Sequence, residues 1–146
     1  MKGLQLGLIL TALSCAEPTA SYQPSGSPAV TELREQNYSY SINAADRAVY
    51  VRFTSVRSDG GETVHAFMRR MFESADSAGA RRLVLDLRSV SGGDAFLLVP
   101  LLKGVIARER FLRHGGLLVL VGRDSFSPAQ NAATLLRQYA NPTFVY

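Results

Sequence analysis

Hydrophobic residues along the chain fall into short strand-like runs. In the first run (AVYVRF) apolar side chains alternate with other residues, with the period of two that is typical of a strand. The next two runs, LVLDL and LLVLV, are almost wholly apolar, as buried parallel strands are. A fourth run begins close to the C-terminus. The predicted strands are residues 48–53, 83–87, 117–121 and 143–146.

Between these runs, apolar residues recur at helical spacing. Asp59 and Glu62 are spaced as a capping box before the first helix, and Gly79 is the type of residue that ends one. Pro100 is tolerated in a first turn, so the second helix is predicted to begin just before it. The alternation of strands and helices predicts an α/β domain with a mostly parallel sheet. The predicted helices are residues 62–77, 98–113 and 128–139.

The N-terminal segment has the composition of an export signal. Residues 1–16 begin with Lys2 and continue in an apolar run that is too short for a permanent membrane span. Cys15, the single cysteine, lies in a box like that of bacterial lipoproteins, although Ala12 stands where a large aliphatic residue is usual. Lipidation of Cys15 and plain cleavage of the signal both remain open.

Residues 17–37 are rich in Pro, Ser and Gly, which predicts a flexible linker. The folded part is then expected to span residues 38–146. An export signal followed by a linker predicts a periplasmic, secreted or lipid-anchored protein at the cell envelope.

Composition is that of a globular protein, with 47% hydrophobic and 19% charged residues and a net charge of +4. Basic residues are spread along the chain, and no aromatic residue interleaves with the arginine pairs at 69–70 and 81–82. A solvated face explains these charges better than a nucleic-acid surface. No spacing typical of metal ligands occurs, so we expect neither a metal nor another cofactor.

Ser127 stands between a predicted strand and a predicted helix. At that position the helix dipole and unpaired N–H groups could stabilise an oxyanion, as beside a nucleophile. The local sequence favours a structural interpretation, because Ser127 suits an N-cap, Pro128 a first helical residue and Gln130 the end of a capping box. Local sequence alone leaves both open.

Two segments in order resemble the tail-specific (C-terminal processing) serine proteases. Residues 83–93 (LVLDLRSVSGG) are a hydrophobic strand ending in Asp-Leu-Arg and followed by a Gly-Gly turn. Residues 117–130 (LLVLVGRDSFSPAQ) are a second such strand followed by a Ser-x-Ser turn. The resemblance covers about residues 38–146. It implies a crotonase/ClpP-like, mostly parallel sheet with covering helices, C-terminally incomplete, and a peptide or protein substrate.

The resemblance also implies roles for individual residues. Ser127 matches the nucleophile, and Gly92 and Gly93 match the turn whose amides help to form the oxyanion hole. Asp86 and Arg88 match the Asp-Leu-Arg motif, where they shape the loop. Each position also has a plain alternative, which is a strand-to-helix turn for the glycines and a solvated strand end for Asp86 and Arg88.

This chain departs from the family pattern at three places. The family uses a serine–lysine dyad, but Lys2 and Lys103 are the only lysines and neither stands in the family's position. Pro128 follows the serine and has no N–H to donate. Val90 stands where the family usually has Asn.

We therefore expect a serine endopeptidase-like domain that is inactive as written, because its general-base lysine is missing. One alternative is a non-catalytic exported α/β module that binds peptides or apolar ligands in the same cleft. Another is a remnant that does not fold alone, because the last strand leaves an open sheet edge. The oligomeric state is not predicted.

Overall fold

The computed structural model describes residues 36–123 and 125–146. The predicted signal at residues 1–16, the lipidation site Cys15 and most of the predicted linker lie outside these residues. Gln36 and Asn37, at the end of that linker, are held by hydrogen bonds. The main-chain O of Gln36 accepts from the hydroxyl of Thr54 at 2.8 Å, and Asn37 O accepts from Thr54 N at 2.9 Å.

The described residues form one five-stranded sheet with helices, in the order β1-β2-β3-β4-β5. The first strand is antiparallel to its neighbour and the other four are parallel, which confirms a mixed α/β fold with a mostly parallel sheet. The strands are β1 (Tyr38–Asn43), β2 (Ala48–Phe53), β3 (Arg82–Asp86), β4 (Leu117–Leu120) and β5 (Thr143–Val145). The helices are α1 (Val64–Ser77), α2 (Val99–Ile106), α3 (Glu109–Leu112) and α4 (Ser127–Tyr139), with a 3₁₀ turn at Ala95–Leu98.

The first helix begins later than predicted. Thr63 is its N-cap, and the Thr63 hydroxyl accepts from Ala66 N at 3.1 Å. The predicted cap, Asp59, instead accepts from the main-chain N of Asn37 at 2.7 Å, so its carboxylate fastens the lead-in to β1. Gly79 follows the helix with a φ of +61°, the left-handed conformation that favours glycine there.

The prediction of one helix over residues 98–113 is wrong, because the chain breaks between α2 and α3. Arg108 is in an extended conformation at that break. Its guanidinium donates to both carboxylate oxygens of Asp76 in α1, at 2.9 and 2.6 Å, and lies 4.3 Å from the centre of the Phe72 ring. A contact with another helix thus overrides the local helical pattern.

The helices cover one face of the sheet. Parallel strands joined in sequence order by right-handed crossovers put every connecting helix on the same side. Beneath the helices, strand residues are fully buried, and the alternate residues on the opposite face are half-buried. The covered set includes Val49, Val51, Phe53, Leu83, Leu85, Leu117 and Val119, and the opposite set includes Ala48, Tyr50, Val84, Leu118 and Leu120.

Candidate active site

Two loops meet at the carboxyl ends of β3 and β4, the edge where sites gather in parallel sheets. The loop after β4 is joined to the loop after β3 by two hydrogen bonds. Phe126 N donates to Val90 O at 3.2 Å, and the Ser125 hydroxyl donates to Leu87 O at 3.0 Å. These bonds hold the serine-bearing loop beside the glycine-bearing loop.

Ser127 is the first residue of α4, a helix of 13 residues, and it is exposed. The N-cap is Phe126, and no side chain of the described residues caps the helix. The capping box predicted from Ser127 and Gln130 does not form, since the Gln130 amide donates to Ser125 O at 3.2 Å. The structure therefore puts the Ser127 side chain at the positive end of a helix without a capping role.

Ser125 carries the structural role that sequence reasoning missed. Its hydroxyl accepts from Gly122 N at 3.0 Å while donating to Leu87 O. The two serines of the Ser-x-Ser turn thus differ, because the first bonds the loop to the neighbouring strand end and the second points outward. The difference depends on a main-chain oxygen 38 residues away, so no local signal could have shown it.

Gly92 and Gly93 both have positive φ, of 154° and 124°. Gly93 forms a parallel bridge with Val56, and a Cβ at position 93 would lie 2.2 Å from the Val56 oxygen. Val56 N donates to Gly92 O at 2.9 Å, and Asp94 N donates to Val56 O at 3.0 Å. Gly93 is thus required by a close approach to the segment after β2, whereas at Gly92 only the positive φ favours glycine.

The amides available to a developing oxyanion come from these same loops. Within the described part of the chain, the main-chain N–H groups of Gly92, Gly93 and Ser127 donate to no backbone acceptor. Pro128 is buried in the first turn of α4 and contributes no N–H. Any oxyanion beside Ser127 would therefore rely on the Gly92 and Gly93 amides and on the N–H of Ser127 itself.

Asp86 is the buried charged residue of this edge, with 3% of its surface exposed. It accepts from Arg88 N at 3.1 Å and from the Arg88 guanidinium at 2.9 and 2.8 Å, and also from the Tyr50 hydroxyl. Burial alone would raise the pKa of Asp86, but the bonds from Arg88 and Tyr50 outweigh burial and lower it. Burial and the bond to Asp86 raise the pKa of Tyr50.

Such a bonded carboxylate fixes the start of the loop after β3. Asp86 accepts hydrogen bonds from Arg88, two positions further along the chain, and from Tyr50 in the neighbouring strand, so its side chain is not solvated. This geometry suits a loop-shaping residue. The roles implied for Ser127, Gly92, Gly93, Asp86 and Arg88 themselves stay predictions.

Two exposed aromatic residues flank the site, and sequence reasoning did not single them out. Phe96 is 83% exposed in the 3₁₀ turn after the glycines, and Phe126 is 61% exposed immediately before Ser127. The 3₁₀ turn packs against α4, which brings the two segments together. Exposed aromatic side chains are typical of surfaces that hold apolar groups.

The described lysine and histidines, which are candidates for the general base, lie on other elements than Ser127. His114 precedes β4 whereas Ser127 follows it, so the two residues lie at opposite ends of that strand. Lys103 is exposed on α2, and His65 is exposed in the first turn of α1. In the described part of the chain, no three His, Cys, Asp or Glu side chains converge as metal ligands would.

A concave surface of about 300 Å³ lies beside α4 and β5. Its wall is formed by Ala129 and Ala133 on one side and by Phe144 and Tyr146 on the other, with Arg137 stacked 4.7 Å above the Phe144 ring. Ser127 is not part of that wall. The concavity is therefore a neighbour of the serine site.

Geometry and topology together define an α/β domain with a serine at a strand-to-helix turn, and solved structures of similar fold exist. A candidate peptidase from Parabacteroides merdae ATCC 43184 is 18% identical, with a TM-score of 0.53, and the match covers 74% of this chain and 42% of that one. A photosystem II D1 C-terminal processing protease is 18% identical, with a TM-score of 0.52, over 75% of this chain and 36% of that one.

A lipoprotein from Streptococcus agalactiae is 12% identical, with a TM-score of 0.51, over 77% of this chain and 49% of that one. The chain thus spans less than half the length of each of these neighbours. The sequence matches no protein-family profile and no curated protein. The fold is therefore similar to that of a C-terminal processing protease, and the similarity is one of structure at low sequence identity.

Among the residues described, no helix is both long and apolar enough to cross a membrane.

Proposed function

We propose that this chain is a serine endopeptidase-like domain of the tail-specific, crotonase/ClpP-like type, acting on peptides or proteins. Ser127 would be the nucleophile, and the amides of Gly92 and Gly93 would hold the oxyanion. The observation that carries the proposal is the exposed Ser127 at the start of α4, on a loop bonded to the glycine loop through Phe126 and Val90.

The proposed reaction is transfer of the acyl group of a peptide to the Ser127 hydroxyl. The Ser127 hydroxyl would attack a peptide carbonyl, and its proton would pass to a base. The carbonyl oxygen would then gain negative charge, which the Gly92 and Gly93 amides and the helix dipole stabilise. Phe96 and Phe126 would contact apolar side chains of the bound peptide.

These residues do not by themselves supply the base. A neutral lysine is the base of the serine–lysine dyad, and Lys103 lies on the exposed side of α2. Pro128 also removes one oxyanion donor, which costs about 3 kcal/mol of transition-state stabilisation. We therefore propose that the 146 residues are inactive as written.

Export is part of the same proposal. The signal-like residues 1–16 would direct the chain to the cell envelope, and Cys15 would be the point of lipid attachment if the signal is of the lipoprotein type. The lipoprotein from Streptococcus agalactiae among the structures of similar fold supports this placement.

A fluorophosphonate probe tests the nucleophile, with an added small amine such as ethylamine replacing the missing base. We expect little labelling without amine and labelling of Ser127 at least about tenfold faster with it, because a general base contributes 10²–10⁴ in rate. Mass spectrometry of the labelled peptide identifies the serine.

Two matched variants serve as controls. Ser127→Ala should abolish the amine-dependent labelling, whereas Ser125→Ala changes the adjacent serine and should leave a labelled Ser127. Labelling that persists in Ser127→Ala, or none in any condition, would contradict the assignment. If the protein hydrolyses casein without added amine, and Ser127→Ala abolishes that activity, only the proposed inactivity is contradicted.

A non-catalytic module that binds peptides or apolar ligands is the second candidate function. The concavity between α4 and β5, with Phe144 and Tyr146 on its wall, supports this candidate. If binding is the function, Phe144→Ala should weaken binding of an apolar peptide while Ser127→Ala leaves it unchanged. Fluorescence anisotropy with a labelled peptide separates the two outcomes.

A further inference from the structure

The amino ends of the parallel strands form a concave surface at the edge of the sheet opposite the serine site. Arg47 precedes β2, Arg81 and Arg82 lie at the start of β3, and Arg113 and His114 precede β4. Because parallel strands gather their amino ends at one edge, these residues converge. Together with Arg110 they line a concavity of about 460 Å³, which we call the arginine basin.

The backbone holds the basin in place. Arg47 has a φ of 49°, in the left-handed region that is uncommon for a non-glycine residue. Its main-chain O accepts from Arg81 N at 2.7 Å and from Arg82 N at 3.1 Å. This pair of bonds holds the main chains of the three arginines together at the sheet edge, where all three line the same concavity.

Positive charge in the basin is only partly neutralised. Asp76 binds Arg108 and Arg110, and Glu109 binds Arg113 at 2.9 Å. Asp46, which precedes Arg47, accepts from the Asn43 amide at 2.6 Å and forms no salt bridge with a described residue.

The other three arginines differ from these. Arg47, Arg81 and Arg82 are exposed, and none forms a salt bridge with a carboxylate of the described residues. Three like charges that line one concavity repel one another. An anion between them would therefore be favoured.

The number and shape of these donors select the anion. A guanidinium presents a planar fork of N–H donors that matches two oxygens of one acceptor group. One carboxylate accepts one such fork, whereas a phosphate group has three terminal oxygens and can accept from two or three guanidinium groups together. The glycines at the floor, Gly79 and Gly115, leave room for a group of that size.

We propose that the arginine basin binds a phosphate group, with Arg47, Arg81 and Arg82 as its principal donors and His114 at its rim. The group would belong to a free phosphorylated compound or to a lipid headgroup, which share this chemistry. The site is independent of Ser127, since it lies at the opposite ends of the strands.

The test titrates inorganic phosphate into the 146-residue protein at constant ionic strength, with chloride as the balancing anion. Binding is followed by NMR of the backbone amides. We expect saturable shifts confined to the basin. The double variant R81Q/R82Q should bind at least about tenfold more weakly, because it removes two charge-assisted forks.

The matched control is R57Q/R69Q, which removes the same charge from exposed residues outside the basin. Its affinity should stay within about twofold of the wild type. Circular dichroism checks that both variants fold. Equal weakening by both variants would show diffuse attraction and overturn the site, as would shifts that never saturate.

Sedimentation with vesicles of phosphatidylglycerol and phosphatidylcholine distinguishes the two sources. Sedimentation that inorganic phosphate reverses assigns the site to lipid headgroups, and phosphate binding without sedimentation assigns it to free phosphorylated compounds. Vesicle binding that neither phosphate nor R81Q/R82Q reduces would overturn the basin as the binding site.

Discussion

The two ends of the parallel strands use the same residue type in opposite ways. At the carboxyl ends, Arg88 is bonded to Asp86, a carboxylate that is almost completely buried. At the amino ends, Arg47, Arg81 and Arg82 are exposed and form no salt bridge with the described carboxylates. The first arrangement pairs its arginine with a carboxylate of the protein, and the second leaves its arginines to solvent or to a ligand.

Glycines with positive φ occur at both ends, but the space beside Gly93 differs from that beside Gly115. Gly93 at the carboxyl end lies against the Val56 backbone, whereas Gly115 at the amino end has nothing within 4 Å of a would-be Cβ. The carboxyl end is therefore a packed, hydrogen-bonded region in which side chains are fixed by long-range contacts. The amino end is an open surface whose groups are held mainly through the main chain.

The largest expected effect comes from substituting these glycines. Gly93→Ala should destabilise the protein by about 3 kcal/mol, because the new Cβ would overlap the Val56 oxygen and the backbone has positive φ. Gly115→Ala should cost about 1 kcal/mol, since it has only the conformational penalty. Urea unfolding measures both, and equal losses would contradict the contrast between the two ends.

A smaller effect is expected from the buried carboxylate. Asp86→Asn should cost about 2 kcal/mol at pH 7, because the bonds to Arg88 and Tyr50 weaken. The folded pKa of Asp86 is lowered, so its contribution is complete above the unfolded pKa of about 3.9 and is lost as the pH falls through the folded pKa. The gap between wild type and variant should therefore narrow on acidification below about pH 4.

Urea unfolding at pH 7 and at steps down to pH 2 measures that gap. Glu62 and Asp76 also have lowered pKa values, but they titrate in both proteins and cancel in the difference. A difference in stability between wild type and Asp86→Asn that is constant with pH would argue that Asp86 stabilises by shape alone.

At the amino end, Arg82→Gln should change stability by less than about 0.5 kcal/mol, since its side chain is exposed.

The smallest contrast lies within the Ser-x-Ser turn. Ser125→Ala should cost about 1 kcal/mol, because it removes bonds to Gly122 and Leu87. Ser127→Ala should change stability by less than about 0.5 kcal/mol, since the residue is exposed and does not cap the helix. Thermal unfolding of the two variants measures both losses of stability. A larger loss in Ser127→Ala than in Ser125→Ala would place the structural hydroxyl at Ser127.

Sequence periodicity alone determined most of the secondary structure. The predicted strand at residues 48–53 is β2 without change, and the apolar stripe of residues 64–75 is the buried face of α1. Gly79 ends that helix as predicted. The missed strand, β1, had a readable signal, because Tyr38, Tyr40 and Ile42 alternate with polar residues. These features are local, so a window of a few residues is enough to specify them.

The partners of polar side chains were decided only by the tertiary structure. Asp59, Glu62 and Ser127 all have suitable capping spacing, yet Thr63 and Phe126 occupy the N-cap positions. Likewise, a helical pattern continues through Arg108 in the sequence. In the structure Arg108 is bound to Asp76 of another helix and lies outside α2 and α3. A propensity is worth a few tenths of a kcal/mol to about 1 kcal/mol, whereas an ion pair or a set of hydrogen bonds from a distant segment is worth as much or more. Such bonds form between residues that only the folded sheet brings together, which is why the structural role of Ser125 and the arginine basin were not apparent from spacing along the chain.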